Sequence, residues 1–152
     1  MSFERNFKSE IISAAETIDL RQRVLRPGQP SEICHYPEDD FSTSFHLGIR
    51  NDHGQIICNG TFLKQPHEFF KNAINPYRLR GMASDPLLQK QGLGSIVINH
   101  ALTLLNEKKC DLLWFNARTT AEAFYAKFGF TPIGETFDIP LGGPHKVMYK
   151  WL

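Results

Sequence analysis

The 152-residue sequence lacks several features that mark specialised classes of protein. It has no apolar run near the roughly 20 residues that are needed to span a bilayer, so we expect no membrane role. Lys and Arg together number 17, against 16 for Asp and Glu, which leaves almost no net charge. The broad basic surface that binds nucleic acid is therefore missing, and we expect no nucleic-acid partner.

Cysteine and histidine are too few and too scattered to indicate a metal site. The three cysteines, Cys34, Cys58 and Cys110, are odd in number and widely separated, which argues against both a disulfide framework and a cysteine zinc site. The six histidines have no His-x-x-x-His spacing. The first six residues are partly acidic and polar, where a secretory signal has a basic end and an apolar stretch. We therefore predict a cytoplasmic protein without a metal ion.

The composition itself is that of an ordinary globular domain, with 41% hydrophobic and 22% charged residues. A chain of this length can bury most of its apolar surface in one core, so we predict a single domain over residues 1–152. Alternating apolar and polar residues predict a hairpin of strands within 44–64, with its turn at 51–54. Further strands are predicted at 7–13, 77–84, 111–116, 130–140 and 146–152.

Three helices are predicted, and two of them begin with the pattern of a capping box. Ser13-x-x-Glu16 opens a helix that runs to about Leu25, and Thr119-x-x-Glu122 opens a short one that ends at Gly129. Between them, apolar residues at helical spacing predict a long helix over 93–108. A strand, this helix and a further strand in that order make a parallel crossover. Gly81 interrupts the strand before the long helix, which indicates a bulge or a close backbone approach.

The segment from Asp85 to Ser95, between that strand and the long helix, has the pattern of an anion-binding loop. Gly92 and Gly94 allow a tight turn and a close backbone approach, and a helix start presents unpaired N–H groups. Both features favour a phosphate. A plain tight turn is the alternative. A Walker loop is excluded by the spacing, and Val97 stands where the dinucleotide fingerprint requires a third glycine.

The pattern Gln89-x-x-Gly92-x-Gly94 resembles the acetyl-CoA pyrophosphate loop of the GNAT superfamily of N-acetyltransferases. The segment from Asn116 to Phe130, in which Tyr125 precedes a Gly-Phe pair, is similar to the second half of the same fold. The resemblance implies an α/β (α+β) fold with a central, mostly antiparallel mixed sheet, one parallel βαβ crossover, a splayed strand pair and helices on both faces. The family often has Asn seven residues before the Tyr, but here Arg118 stands at that position.

The resemblance also implies a function, a cosubstrate and a set of site residues. The chain would transfer an acetyl group from acetyl-CoA to a primary amine of a small molecule or peptide, by direct attack in a ternary complex. A non-catalytic acyl-CoA sensor is the alternative, and the sequence allows a homodimer without determining it. The implied cofactor-binding residues are Met82, Ala83, Ser84, Gln89, Lys90, Gln91, Gly92, Leu93, Gly94, Ser95, Asn116, Phe124 and Tyr125.

Two residues are candidates for proton transfer. Tyr125 matches the tyrosine that protonates the departing thiolate in the family, and a phenol of pKa near 10 suits a thiolate of pKa about 8.5. Its alternative role is that of a core residue. His145, in a predicted loop before the last strand, is the candidate base, because an imidazole titrates near neutral pH; its alternative is a surface histidine without a role. Weaker candidates for the base are Glu135, His35, Asp39 and His46.

Overall fold

One seven-stranded sheet organises the structure, a computed structural model that describes residues 6–152. The order of the strands across the sheet is β1-β2-β3-β4-β5-β7-β6, and only β4 and β5 run parallel to each other. The strands are β1 (Ser9–Ile12), β2 (Phe45–Arg50), β3 (Ile56–Lys64), β4 (Pro76–Ser84), β5 (Leu112–Arg118), β6 (Thr131–Ile139) and β7 (Gly143–Trp151). The prediction that no secretory signal opens the chain concerns mainly residues 1–5, which lie outside the described residues.

Helices cover both faces of the sheet, as predicted. The long helix α2 (Leu93–Glu107) and the short helix α3 (Glu122–Ala126) pack on one face, where they enclose the main core with β2 to β5. On the other face lies a helical segment made of a 3-10 turn (Ala15–Thr17), α1 (Ile18–Leu20) and a π turn (Arg21–Leu25). The Asn59 side chain of β3 donates to the Thr17 carbonyl at 3.3 Å, which fixes this segment to the sheet.

The parallel pair β4–β5 is joined over only three residue pairs. Residues 76–78 of β4 lie beside residues 112–114 of β5, whereas β5 stays paired with β7 along its whole length. Beyond these pairs, residues 79–84 and 115–118 have no common ladder, and we call this gap the open seam. The mixed sheet, the single parallel crossover and the splayed pair are thus confirmed.

Gly81 forms the predicted bulge and changes which side chains face the core. Between the pairs Asn59–Ala83 and Thr61–Arg80, one residue of β3 lies opposite two of β4, Gly81 and Met82, and Gly81 has a φ of +65°. One extra residue reverses the alternation of side chains. Met82 therefore packs with the main core, whereas simple alternation would place it on the same face as Arg80.

Other local predictions succeeded or failed for identifiable reasons. The first capping box is confirmed, because the Glu16 side chain accepts from the Ser13 amide and the Glu16 amide donates to Ser13 Oγ. The second is wrong, because Thr119 lies in a 3-10 turn and makes no capping hydrogen bond. β7 begins at Gly143, so His145 lies within a strand and not in a loop. In the described part of the chain, no helix is long and apolar enough to cross a membrane.

Candidate active site

The loop before α2 exposes a row of backbone amides. Gly92 is the N-cap residue of α2 and has a φ of +80°, while Lys90 has a φ of +69°. The N–H groups of residues 91–95 donate no hydrogen bond to any described residue. A Cβ atom added to Gly92 would meet nothing within 4 Å, so the turn opens to solvent. The loop can therefore bind an anion through its main chain alone.

Asp85 supports this loop, although the sequence prediction did not select it. Its amide donates to the Ile57 carbonyl at 2.8 Å, and its side chain accepts from the Leu87 amide at 3.0 Å. Asp followed by Pro is a common start for such a turn, and this pattern was the available signal. Gln89, the first residue of the loop pattern, is exposed and makes no side-chain hydrogen bond to a described residue.

Gly94 allows the first turn of α2 to approach the predicted residues Phe124 and Met82. A Cβ atom at Gly94 would lie 3.0 Å from Phe124 Cζ and 3.4 Å from Met82 Cε. Gly94 is thus required for close packing, whereas Gly92 is required for its backbone conformation. Leu93 is buried below this contact, and Ser95 is half-buried. The structure therefore brings the loop, β4 and α3 together at one point.

Tyr125 lies in an aromatic cluster next to this point. Its ring centroid is 4.4 Å from that of Phe115, 5.0 Å from that of Phe124 and 6.3 Å from that of Phe130. Burial raises the pKa of the Tyr125 phenol well above its usual value, and no hydrogen bond offsets the effect. Burial likewise raises the pKa of the neighbouring Cys58 thiol to about 11, although a hydrogen bond from Ser84 opposes the rise. This region keeps both groups protonated.

The remaining predicted residues lie along the open seam. Ala83 is buried and Ser84 half-buried on the β4 side. Asn116 of β5 follows the last β4–β5 pair by two residues. Its neighbours Phe115 and Ala117 belong to the main core, so the Asn116 side chain points to the opposite face of the sheet. The seam therefore carries predicted residues on both faces.

His145 does not lie beside Tyr125. It is paired with Arg118 across β5–β7 on the face opposite to the main core, 7% exposed, and its Nδ1 donates to the Gly143 carbonyl at 2.8 Å. Two weaker candidates for the base are engaged elsewhere. His46 bonds through its ring nitrogens to Thr61 Oγ1 at 2.7 Å and to the Asp39 carbonyl at 3.0 Å. The Asp39 carboxylate is bound by Arg21, whereas His35 and Glu135 are exposed.

The face opposite to the main core has a charged cluster that the sequence prediction missed. Arg21 is 1% exposed and binds both carboxylate oxygens of Asp39, at 2.7 and 2.9 Å. Arg21 also donates to Thr61 Oγ1 at 2.6 Å. The three residues are 18 to 40 positions apart in sequence, so no local pattern indicates the contact.

Among the described residues, no group of three or more His, Cys, Asp and Glu side chains is arranged to hold a metal ion.

A mixed sheet that opens beside an amide-rich helix start is the arrangement that the resemblance implied, and it defines an acyltransferase of the GNAT type. Comparison with family models agrees: the acetyltransferase (GNAT) domain matches residues 43–132. The chain therefore belongs to the GNAT family, whose members use acetyl-CoA and an acceptor substrate. It is also 43% identical, over 141 residues, to the uncharacterized N-acetyltransferase YitI of Bacillus subtilis (strain 168), covering 93% of each chain.

Solved structures share the fold at low sequence identity. ElaA of Escherichia coli superposes with a TM-score of 0.75 at 16% identity, over 95% of this chain and 99% of that one. An acyl-CoA N-acyltransferase from Pseudomonas aeruginosa superposes with a TM-score of 0.71 at 19% identity, with the same coverage. The architecture is therefore that of the family across nearly the whole chain.

Proposed function

We propose that the protein transfers an acetyl group from acetyl-CoA to a primary amine of a small molecule or peptide, in a ternary complex. The observation that carries this proposal is the set of amides at residues 91–95 that donate to no residue within 6–152, at a helix start that opens to solvent. An amide row of this kind suits a diphosphate, because each N–H can donate to a phosphate oxygen and the helix dipole adds to the attraction. Gln89 and Lys90 flank the phosphates in this assignment.

The residues along the seam suit the rest of the cosubstrate. Acetyl-CoA supplies an acetyl group activated as a thioester. The backbone of Met82, Ala83 and Ser84 borders the open seam, where it can hydrogen-bond the pantetheine amides and polarise the acetyl carbonyl. Phe124 packs over the first turn of α2 and excludes water from this point. Asn116 offers an amide from β5 on the other side of the gap.

Tyr125 is assigned as the acid in this reaction. The amine nitrogen bonds to the acetyl carbon, the carbon–sulfur bond breaks, and the Tyr125 hydroxyl gives its proton to the departing thiolate. Burial weakens the acid, because it raises the pKa of the phenol. The same surroundings raise the pKa of the Cys58 thiol to about 11, and they would raise that of a bound thiolate in the same direction. The acid and its acceptor thus remain matched.

His145 is assigned as the base that takes a proton from the attacking ammonium. Since its Nδ1 donates to the Gly143 carbonyl, Nε2 is left as the acceptor nitrogen. β5 lies between His145 and the open seam, so the proton transfer requires a water molecule. The ring lies on the face opposite to Tyr125, which separates the acid from the base across the sheet.

We also propose that the protein is cytoplasmic. The homodimer that the sequence allows would be tested by measuring the oligomeric state.

The test is a thiol-release assay with acetyl-CoA and a broad panel of primary amines, together with calorimetric titration of CoA. An enzyme releases free thiol above background with at least one amine and yields the acetylated amine by mass spectrometry. Binding of CoA without thiol release across the panel would favour the sensor. Failure to bind CoA at all would remove the anion-binding role of residues 91–95, and the proposal with it.

A further inference from the structure

Two arginines of β4 face the side of the sheet opposite to α2, beside the open seam. Arg78 stands at the last β4–β5 pair, and Arg80 is the next residue on the same face. Among the described residues, no carboxylate lies within ion-pair distance of either guanidinium, whereas Arg21, Arg23 and Arg50 each have such a partner. Both side chains are half-buried. We call this side of the seam the arginine side.

Arg80 is held in place by stacking and not by a counter-charge. Its guanidinium carbon lies 3.9 Å from the ring centroid of Tyr36, and that of Arg21 lies 3.8 Å from the same centroid. Two guanidinium groups cannot occupy the same position over one face of the Tyr36 ring, so the ring lies between those of Arg21 and Arg80. Because Asp39 binds Arg21 through two hydrogen bonds, this stack is anchored in the core. The donors of Arg80 remain available for a ligand.

Arg78 is the more desolvated of the two. Its guanidinium carbon lies 4.9 Å from the Trp114 ring centroid, and its Nε is buried without a hydrogen-bond partner. Among the described residues, the side chain of Arg78 makes one hydrogen bond, a long one of 3.5 Å to Gln65 Oε1. Burial, and secondly the nearby charge of Arg80, lower the pKa of Arg78 to about 10. An anion bound here would offset both effects, because it supplies a counter-charge and an acceptor.

Glu38 is a carboxylate whose charge acts on Arg78 at this site. It lies beyond ion-pair distance but close enough to favour the charged form of Arg78. Its Oε2 is buried and has no donor among the described residues. Arg78 and Arg80 offer donors to a carboxylate, and the Glu38 carboxylate offers an acceptor to an ammonium group. The site is therefore complementary to a ligand that has both groups.

A polar cavity elsewhere on the molecule contrasts with the arginine side. A cavity of about 790 Å³ next to Asp85 is lined by Glu16, Asp19, Arg23 and Arg50. There both arginines are paired, Arg23 with Asp19 and Arg50 with Glu16. The arginine side differs because neither of its two cations has an ion-pair partner within residues 6–152.

We propose that the acceptor amine carries a carboxylate group, as an amino acid does, and that Arg78 and Arg80 bind this carboxylate on the arginine side of the open seam. This inference rests on the proposed function, because it assigns the acceptor of the same acetyl transfer. Glu38 attracts the ammonium end, and the seam lets the nitrogen approach the acetyl carbon from the face opposite to the cosubstrate loop.

The experiment compares matched acceptors and matched variants. Free amino acids are assayed beside their primary carboxamides, which keep the amine but replace the charged carboxylate by a neutral amide with one acceptor oxygen. The wild-type kcat/KM should favour the acid over its amide by about tenfold or more, since hydrogen bonds to a charged group are stronger than neutral ones. Arg78→Gln and Arg80→Gln should each remove most of this preference while the Kd for CoA stays within about twofold of wild type.

Two further variants separate recognition from structure. Arg78→Lys keeps the charge without the planar fork, so it should retain part of the preference. Arg26→Gln is the control, because Arg26 also lacks an ion pair among the described residues but lies outside β4 and donates to the Leu25 carbonyl. It should behave as wild type with both acceptors.

Direct binding distinguishes failure of this inference from failure of the proposed function. Calorimetry with amino acids is done on protein saturated with CoA, so that no turnover is needed. If the amino acid binds in an Arg78-dependent way but is not acetylated, the carboxylate site is supported and the proposed acetyl transfer is contradicted. Acetylation with equal rates for acid and amide, or an equal loss for both in Arg78→Gln, would overturn the inference alone. Absence of both binding and acetylation would overturn it as well.

Discussion

On one side of the open seam the groups available to a ligand are backbone amides, whereas on the other side they are guanidinium groups. The amides belong to residues 91–95, which are consecutive in sequence. Because an amide is neutral, it needs no counter-charge from another segment. The arginine side is assembled from Tyr36, Arg78 and Arg80, with Arg21 and Asp39 behind them. The first site is local in sequence, and the second depends on contacts between distant segments.

This difference matches the demands of the two ligands. A diphosphate can be bound by any helix start that leaves its amides free, so a short glycine motif is enough. Recognition of one amine among many requires side chains of defined charge in defined positions, and in the proposed site they come from an irregular loop and from β4. The two sides should therefore respond separately to substitution.

The largest effect is expected for Asp39→Asn, which should weaken the arginine side and leave the amide row intact. The substitution leaves the buried Arg21 guanidinium without its counter-charge, and loss of one partner of a buried pair costs about 3–5 kcal/mol. Urea unfolding of variant and wild type measures the difference. The control is Asp19→Asn, whose ion pair with Arg23 is exposed and should cost less than about 1 kcal/mol. Similar losses in both variants would contradict the structural role of Asp39.

The same variant has a defined pH dependence. Burial alone would raise the pKa of the Asp39 carboxyl, but hydrogen bonds from Arg21 and from the Tyr36 amide outweigh it and hold the pKa below its usual value. The stabilisation is therefore present above the unfolded-state pKa of about 4 and is lost as pH falls through the lower folded-state value. The gap in unfolding free energy between wild type and Asp39→Asn should shrink below about pH 4.

The next effect is expected on the amide side. Gly92→Glu places a side chain at a φ of +80° and adds a negative charge where phosphate would bind, so the Kd for CoA should rise by about 100-fold or more. Gly28→Glu is a matched control, because Gly28 has a φ of +79° and also opens to solvent. It carries the same backbone strain at a position outside residues 85–95. An unchanged Kd in Gly92→Glu would remove the loop from the site.

A smaller effect is expected where the two sides meet. Tyr125→Phe removes a hydroxyl that has no hydrogen-bond partner among the described residues, so folding and CoA affinity should change little. Turnover should fall by about 100-fold if the hydroxyl protonates the thiolate. Steady-state kinetics and calorimetry separate the two quantities. Normal turnover in the variant would make Tyr125 a packing residue of the aromatic cluster.

The smallest effect concerns the pH profile of Tyr125. Because burial raises the pKa of this phenol above its usual value near 10, the acid form should persist throughout the working range. The ratio of wild-type turnover to that of Tyr125→Phe should therefore stay constant between about pH 7 and pH 10. A ratio that falls toward one within this range would show that the phenol ionises there.

Much of the fold and of the amide side could be predicted from the sequence. The hairpin β2–β3, the long helix α2 and the parallel crossover follow from hydrophobic periodicity. The position of Met82 could not be predicted, because one extra residue at Gly81 reverses the pattern of the strand. The environment of His145 could not be predicted either, since β7 starts earlier than its apolar residues indicate and buries the ring in the sheet.

The sequence by itself determined the family and the position of the amide row, because both depend on glycines and periodic apolar residues within short segments. Only the tertiary structure decided which arginines have counter-charges and which do not. The physical reason is that ion pairing depends on distances between segments far apart in the chain. Arg21 pairs with Asp39 of an irregular loop, whereas Arg78 and Arg80 lie over aromatic rings and have no ion-pair partner in the part of the chain that the structure describes, and no local pattern distinguishes the two cases.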